Sequence, residues 1–192
     1  MGSTSGHSSA AGVKAQGLRW AIVGFILAII ALVLDQGVKF WVDASMLLGQ
    51  SIEVIPNVLY IHYIKNPGAA FSMGESMTLV FTLLQAAVSV FVIYLLLRKV
   101  KVRIWALSLG ALLGGVLGNL GDRLFREPSF GFGHVVDMIS VEHFAIFNVA
   151  DSFICCSMVM IAYLMLRGVN LDGSIGDKKP VNDGPTEDKA KS

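Results

Sequence analysis

Four apolar runs divide this chain. They extend from about Trp20 to Leu34 (with apolar residues continuing to Trp41), from Met77 to Leu97, from Ile104 to Leu120 and from Phe144 to Leu166. Each is near the ~20 residues that a helix needs to cross a ~30 Å hydrocarbon layer. A bilayer offers the backbone no hydrogen bonds, so runs of this kind are expected to be helical. Between the first two, the pattern changes from continuous to alternating. Ile52 and Val54, then Val58, Tyr60, His62 and Ile64, interleave with Leu59, Ile61 and Tyr63 around a Pro56-Asn57 turn signal. This predicts a short β-hairpin or small sheet lying on the membrane surface. It stops at Asn66-Pro67-Gly68-Ala69-Ala70-Phe71, where proline ends the strand and Gly-Ala-Ala keeps the chain slim enough for another backbone to approach. The expected fold is an all-α membrane protein of four transmembrane helices with a small extracytoplasmic β-element.

Composition supports that class. Of 192 residues 54% are hydrophobic and 15% charged, with a mean hydropathy of +0.66, against about 25% charged in soluble domains. A net charge of +1, with no Lys/Arg stripe among aromatics, excludes a strongly basic nucleic-acid binder. Residues 1–17 are Ser/Gly/Ala-rich and residues 168–192 lack apolar periodicity. Both are expected to be disordered segments flanking a membrane domain at 18–167. Lys14 and Arg19 before the first run resemble a signal-peptide n-region, but Asp35-Gln36-Gly37-Val38-Lys39 follows instead of a small-x-small cleavage site. The first helix is therefore read as retained. Cys155 and Cys156 are adjacent and point apart on a helix, so they read as packing residues.

Basic residues give an orientation. Lys14, Arg19, Arg98, Lys99, Lys101, Arg103 and Arg167 lie at one end of the runs, seven against Lys39, Lys65, Arg123 and Arg126 at the other. The positive-inside rule then makes both termini cytoplasmic and the longer loops, about 42 to 76 and 121 to 143, exterior.

Polar residues inside or beside the runs are the candidate chemistry. Asp137 and Asp151 stand 14 residues apart where the fourth run meets its exterior loop. A carboxylate at the edge of a bilayer is costly, and two that share one proton are the arrangement of aspartic proteases. A proton relay or structural hydrogen bonding are the competing readings of the pair. Asp35 and Lys39 are four apart, Asn119 lies three and four before Asp122 and Arg123, and Asn148 is three before Asp151. Residues at those spacings share a helix face, so three helices can aim polar groups at one exterior pocket. Plainer roles stand beside these: an ion pair for Asp35 and Lys39, an interfacial anchor for Asp122 and Arg123, and a backbone bond for Asn148. Gly110, Gly114 and Gly118 read as close helix packing. His134 and His143 lack metal-ligand spacing, and Ser72, Ser140 and Ser152 sit in no nucleophile motif.

Taken together, Asp35-x-x-x-Lys39, Asn66-Pro67-Gly68-Ala69-Ala70-Phe71, Gly118-Asn119-x-x-Asp122-Arg123, Val135-Val136-Asp137 and Phe147-Asn148-x-Ala150-Asp151 resemble the bacterial lipoprotein signal peptidases, signal peptidase II. Five blocks in order, from about Asp35 to Asp151, make a specific match. The resemblance implies an aspartic endopeptidase in the bacterial cytoplasmic membrane that removes signal peptides from diacylglyceryl-modified prolipoproteins, cutting before the lipidated cysteine. It implies Asp137 and Asp151 as catalytic residues. Asn66, Gly68, Asn119, Asp122, Arg123 and Asn148 are then substrate-binding or supporting, and Asp35 and Lys39 structural. No metal or cofactor is expected, and the partners are the lipidated substrates and membrane lipids, for a monomeric enzyme. Met138 stands where the family often has Phe, and His143-Phe144-Ala145-Ile146 replaces a more usual Trp/Pro-containing approach, so substrate preference is left open. The rival classes are a proton-coupled transport subunit, a non-enzymatic assembly factor, and an intramembrane aspartyl protease acting on unlipidated helices. The stretch Arg126 to Gly133 reads equally as a closing lid or a plain interfacial loop.

Overall fold

A computed structural model of the chain describes residues 6–68 and 76–175. In order, its elements are α1 (Gly6–Ser45), β1 (Ser51–Ile55), β2 (Leu59–Asn66), α2 (Ser76–Arg98), α3 (Arg103–Phe125), β3 (Val135–Val141) and α4 (Val149–Leu166). Four helical segments, Gly17–Ser45, Met77–Arg98, Arg103–Phe125 and Val149–Leu166, are long and apolar enough to cross a membrane.

Glycines decide which helix is central. Most of α3 is buried, while α1, α2 and α4 turn most of their apolar surface outward, as lipid-facing helices do. Its Gly110, Gly114 and Gly118 form a stripe against α1 and the start of α4. A Cβ on Gly110 would sit 2.3 Å from the carbonyl oxygen of Gly24, and one on Gly114 2.5 Å from that of Ala28. A bilayer supplies little hydrophobic drive between helices, so this close backbone approach carries much of the packing. Gly110→Ala is expected to force α1 and α3 apart at a cost of about 1–3 kcal/mol, the usual penalty for overfilling a packed interface. Thermal melting in detergent measures it, and an unchanged melt would show the interface able to yield.

Leu109, Leu113, Val116 and Trp105 of α3 pack with Val92 and Leu96 of α2 in the main apolar core. A second, smaller core seats the sheet on the C-terminal end of α1: Val42 and Met46 meet Tyr63 of β2 and Val136 and Met138 of β3. The sheet is three-stranded and antiparallel, ordered β1-β2-β3. The hairpin of β1 and β2 is the one the alternating pattern predicts.

Strand β3 is an addition, in what the sequence reads as an exterior loop. It pairs with β2 in two stretches of three residues (Leu59 to Ile61 opposite Val141 to Ile139, and Ile64 to Asn66 opposite Asp137 to Val135) on either side of an irregularity in register. Side chains alternate along a strand. With Val136 and Met138 turned into the small core, Asp137 projects from the opposite face.

The fourth helix also corrects the sequence reading, which began it at Phe144. Phe147 instead pairs with Ile139 as extended chain, its N–H donating to Ile139 O at 2.9 Å and its carbonyl accepting from Ile139 N at 2.7 Å. Asn148 then caps α4. Its side-chain oxygen accepts from Asp151 N at 2.9 Å, and the Asp151 carboxylate accepts from Asn148 N at 3.2 Å, a reciprocal capping box. Hydropathy alone does not register that stop. At the other end, α1 begins at Gly6, within the 1–17 segment, and residues 168–175 turn back on themselves, pairing Val169 with Ile175. Residues 1–5, the remainder of the C-terminal segment, and Ala69, Ala70, Phe71 and Ser72 lie outside the described residues.

Candidate active site

Four elements deliver the polar residues to one place: the last residue of β2, the C-terminal end of α3, strand β3 and the capped start of α4. Asn148, fully buried, holds both aspartates. Its amide nitrogen donates to Asp137 Oδ1 at 2.6 Å, and its backbone N–H belongs to the capping box with Asp151. The other oxygen of Asp137 accepts from Asn66 Nδ2 at 2.8 Å. Asp151 Oδ1 accepts from Asn119 Nδ2 at 2.7 Å. Asn119 Oδ1 in turn accepts from Asn148 Nδ2 at 3.0 Å and from Lys39 Nζ at 2.9 Å. Each carboxylate is thus held by neutral amide donors, and the two frames are joined through Asn119 and Asn148.

Asn66 is oriented by its own turn. Its side-chain oxygen accepts from Gly68 N at 2.8 Å, which leaves the amide nitrogen pointing at Asp137. Gly68 has φ +103, a conformation that disfavours side chains, and a Cβ there would lie 3.0 Å from the Phe81 ring and 3.6 Å from Arg123 Nη2. The Arg123 guanidinium lies over the Phe81 ring, 5.5 Å from its centroid. It is buried, its Nε and one Nη have no hydrogen-bond partner among the described residues, and the charges it senses are Asp137, Asp122 and Asp151. Asp122 faces elsewhere, as the divergence of adjacent helical residues predicts.

Beneath the aspartates lies a buried charged cluster. Lys39 Nζ bridges Asp35 Oδ2 at 2.8 Å and Asp122 Oδ2 at 2.9 Å, with all three side chains fully buried. Asp35 Oδ1 accepts from Ala150 N at 2.8 Å, tying α1 to the first turn of α4. Asp122 Oδ2 also accepts from Val136 N at 3.1 Å, which fixes the strand residue next to Asp137. The pairing of Asp35 with Lys39 expected from their spacing is thus part of a larger cluster spanning α1, α3, β3 and α4.

Several members were missed. Gln36 Nε2 bonds Asp35, Asp122 and the Gly118 carbonyl. Arg126 Nε donates to Asp122 Oδ1 at 2.8 Å and its Nη1 to Asp43 Oδ2 at 3.0 Å, while Tyr63 OH donates to Asp43. The spacing Asp122-x-x-x-Arg126 was a readable signal, whereas the α1-to-β2 contact through Asp43 and Tyr63 carried none. The stretch from Arg126 to Gly133 is pinned at several points. Gly133 N donates to Arg123 O at 2.9 Å, and Thr82 Oγ1 to Gly131 O at 2.7 Å. Phe130 stays exposed, edge-on to Phe125.

Burial, reinforced by the charge of Asp151, pushes the Asp137 carboxyl up to about 6 against the opposing bonds from Asn66 and Asn148 and the Lys39 charge. Around pH 6 this side chain is therefore divided between its protonated and ionised forms.

A family model described as signal peptidase (SPase) II matches residues 27–167. The lipoprotein signal peptidase of Streptomyces coelicolor is 46% identical over 162 residues, covering 84% of this chain and 79% of that protein. That of Leifsonia xyli subsp. xyli is 47% identical over 152 residues, covering 77% of this chain and 70% of that protein. A solved structure described as a bacterial membrane enzyme, obtained by the in meso method at 1.9 Å, superposes with a TM-score of 0.68 at 27% identity. The match covers 76% of this chain and 93% of that one.

Proposed function

The chain belongs to the signal peptidase II family of aspartic peptidases, and from that premise we propose that it cleaves diacylglyceryl-modified prolipoproteins immediately before the lipidated cysteine, with Asp137 and Asp151 as the catalytic pair. The observation that carries the assignment is the joint suspension of both carboxylates from Asn148, at one end of an apolar bundle. The lipid tails of the substrate stay in the bilayer while its scissile peptide reaches the pair from the exterior face. Both termini are cytoplasmic, and the working unit is a monomer embedded in membrane lipid.

In the mechanism, the pair holds one proton between two carboxylates that do not readily ionise together. The ionised member takes a proton from water, which attacks the scissile carbonyl carbon. The protonated member hydrogen-bonds the carbonyl oxygen, and a proton is later delivered to the leaving amine as the C–N bond breaks. Asn66 and Arg123 face this space and supply donors for the developing oxyanion or the substrate backbone, a contribution of about 3 kcal/mol for one such donor. Asn119 and Asn148 hold the carboxylates, and Asp122 holds β3. Asp35 and Lys39 support the whole from below.

The test is a cleavage assay in lipid with a diacylglyceryl-modified prolipoprotein and its unlipidated twin. Cleavage of the lipidated form alone is expected. Equal cleavage of both would point to an intramembrane protease acting on ordinary helices, and no cleavage by folded protein would remove the peptidase reading. The pH profile gives a second check. With the Asp137 carboxyl near 6, the shared proton is lost as pH rises through that value. The alkaline limb of kcat/KM, which reports the free enzyme, is therefore expected to have its midpoint near 6 and to fall about tenfold per further pH unit. A profile flat from about pH 5 to about 8 would count against Asp137 as a holder of that proton.

A further inference from the structure

At the end of the bundle opposite the aspartates, α2 and α3 meet in a turn bearing Arg98, Lys99 and Lys101. The residues after α4 fold back beneath it as a strap. Lys101 N donates to Leu171 O at 2.9 Å, and the Trp105 indole donates to Val169 O at 3.1 Å. The strap is pressed so close that a Cβ on Gly173 would come within 2.4 Å of Val102.

Two cavities adjoin the strap and share Asn170 and Leu171 as a common wall. One, about 520 Å³, is an apolar groove between α2, α3 and α4, lined by Phe91, Leu95, Leu112, Met158, Ile161 and Met165 among others. The other, about 470 Å³, is walled by Arg98, Lys99, Lys101 and Asp172. Asp172 is the one carboxylate there among the described residues, and its Oδ1 accepts from Ser174 N at 2.9 Å and Ser174 Oγ at 2.7 Å. Three exposed cations thus border the mouth of an apolar groove, and a single carboxylate, Asp172, faces them among the described residues.

We propose that the two cavities together hold one anionic glycerophospholipid, with an acyl chain in the groove and its phosphate against Arg98, Lys99 and Lys101. The charge pattern selects this occupant. The apolar segment of a signal peptide follows a basic n-region, which would meet like charge at this rim. A soluble anion makes no use of the groove, and a zwitterionic lipid brings an amine that offsets its phosphate. An anionic lipid satisfies both halves, since basic residues at a membrane surface attract acidic headgroups. The inference does not rest on the peptidase reading, only on insertion of the bundle in a bilayer.

The experiment is native mass spectrometry of the full-length protein offered an equal mixture of phosphatidylglycerol and phosphatidylcholine with matched chains. Phosphatidylglycerol adducts are expected to be retained at least about tenfold over phosphatidylcholine. K99Q/K101Q should abolish the preference, and Met158→Trp, whose indole fills the groove, should remove the adduct itself. These side chains are exposed, so the variants are expected to melt as wild type does, which is checked alongside. Equal retention of the two lipids would overturn the proposal. So would a preference that disappears in K99Q/K101Q yet survives Met158→Trp, because attraction would then be confined to the charged surface. Weakened binding of a fluorescent lipidated signal peptide by Met158→Trp, with lipid adducts unchanged, would assign the groove to substrate and also overturn it.

Discussion

Asp137→Asn and Asp151→Asn are each expected to lower cleavage of a lipidated prolipoprotein by at least about a thousandfold while leaving a folded membrane protein. The loss follows from the chemistry: an amide neither accepts a proton from water nor holds one to give, and positioned general acid–base groups contribute about 10²–10⁴-fold each. Survival of the fold follows from the surroundings. Asp137 accepts from the amides of Asn66 and Asn148, and Asp151 from the Asn119 amide and the Asn148 backbone. No cation is bonded to either among the described residues, and the buried Arg123, which senses both, keeps Asp122 and the remaining aspartate in either variant. Each replacement turns one acceptor into a donor facing a donor, a local penalty of about 1–3 kcal/mol. For Asp137 that penalty is offset by removal of a carboxyl whose ionisation burial opposes. The measurement is a gel-shift assay beside thermal melting in the same detergent. Residual cleavage above about a tenth of wild type in either variant would show that the acid or base resides elsewhere. A collapsed melt would instead make that aspartate part of the scaffold.

The contrast between these two aspartates and the cluster beneath them also marks how far the sequence could be read. Helical spacing alone grouped Asp35 with Lys39, Asn119 with Asp122 and Arg123, and Asn148 with Asp151, because side chains three and four apart must share a face. The first and last groups recur in the structure, while in the second Asn119 and Asp122 meet Lys39, and Arg123 turns to Phe81. The four apolar runs and the first hairpin were legible for the same reason: each is a local periodicity. What escaped depends on contacts between distant segments. Strand β3 exists because β2 offers it a partner and Val136 and Met138 find Val42 and Met46, and these partners all lie outside residues 135–141. The late start of α4 reflects a preference of Asn148 for capping that outweighs the apolar character of Phe144 to Phe147. Gln36, Asp43 and Tyr63 have no local signature at all. They became members of the polar network only when α1, α3 and the sheet were placed side by side.

Lys39→Met is expected to be the most destabilising single change in the cluster, costing about 3–5 kcal/mol and lowering the apparent melting temperature by about 10 °C or more. An ammonium group has three protons to donate, and Lys39 places them on Asp35 at 2.8 Å, Asp122 at 2.9 Å and Asn119 at 2.9 Å, with no exposure to water. Methionine matches the length of the side chain but leaves two fully buried carboxylates facing one another without the cation between them. Arg126 still contacts Asp122 through Oδ1, so the stranded charge is chiefly that of Asp35, whose remaining bonds come from the Ala150 N–H and Gln36. Adding Asp35→Asn to Lys39→Met removes that charge, and the double variant is therefore expected to melt higher than Lys39→Met alone. This non-additivity separates electrostatic compensation from simple loss of packing, which a second substitution would only worsen. Activity should fall as well, because Asn119 loses a donor on the oxygen opposite the amide that holds Asp151. A Lys39→Met variant that melts within about 1 kcal/mol of wild type, or a double variant less stable than the single one, would mean that the cluster is held by its hydrogen bonds and packing and not by the central charge.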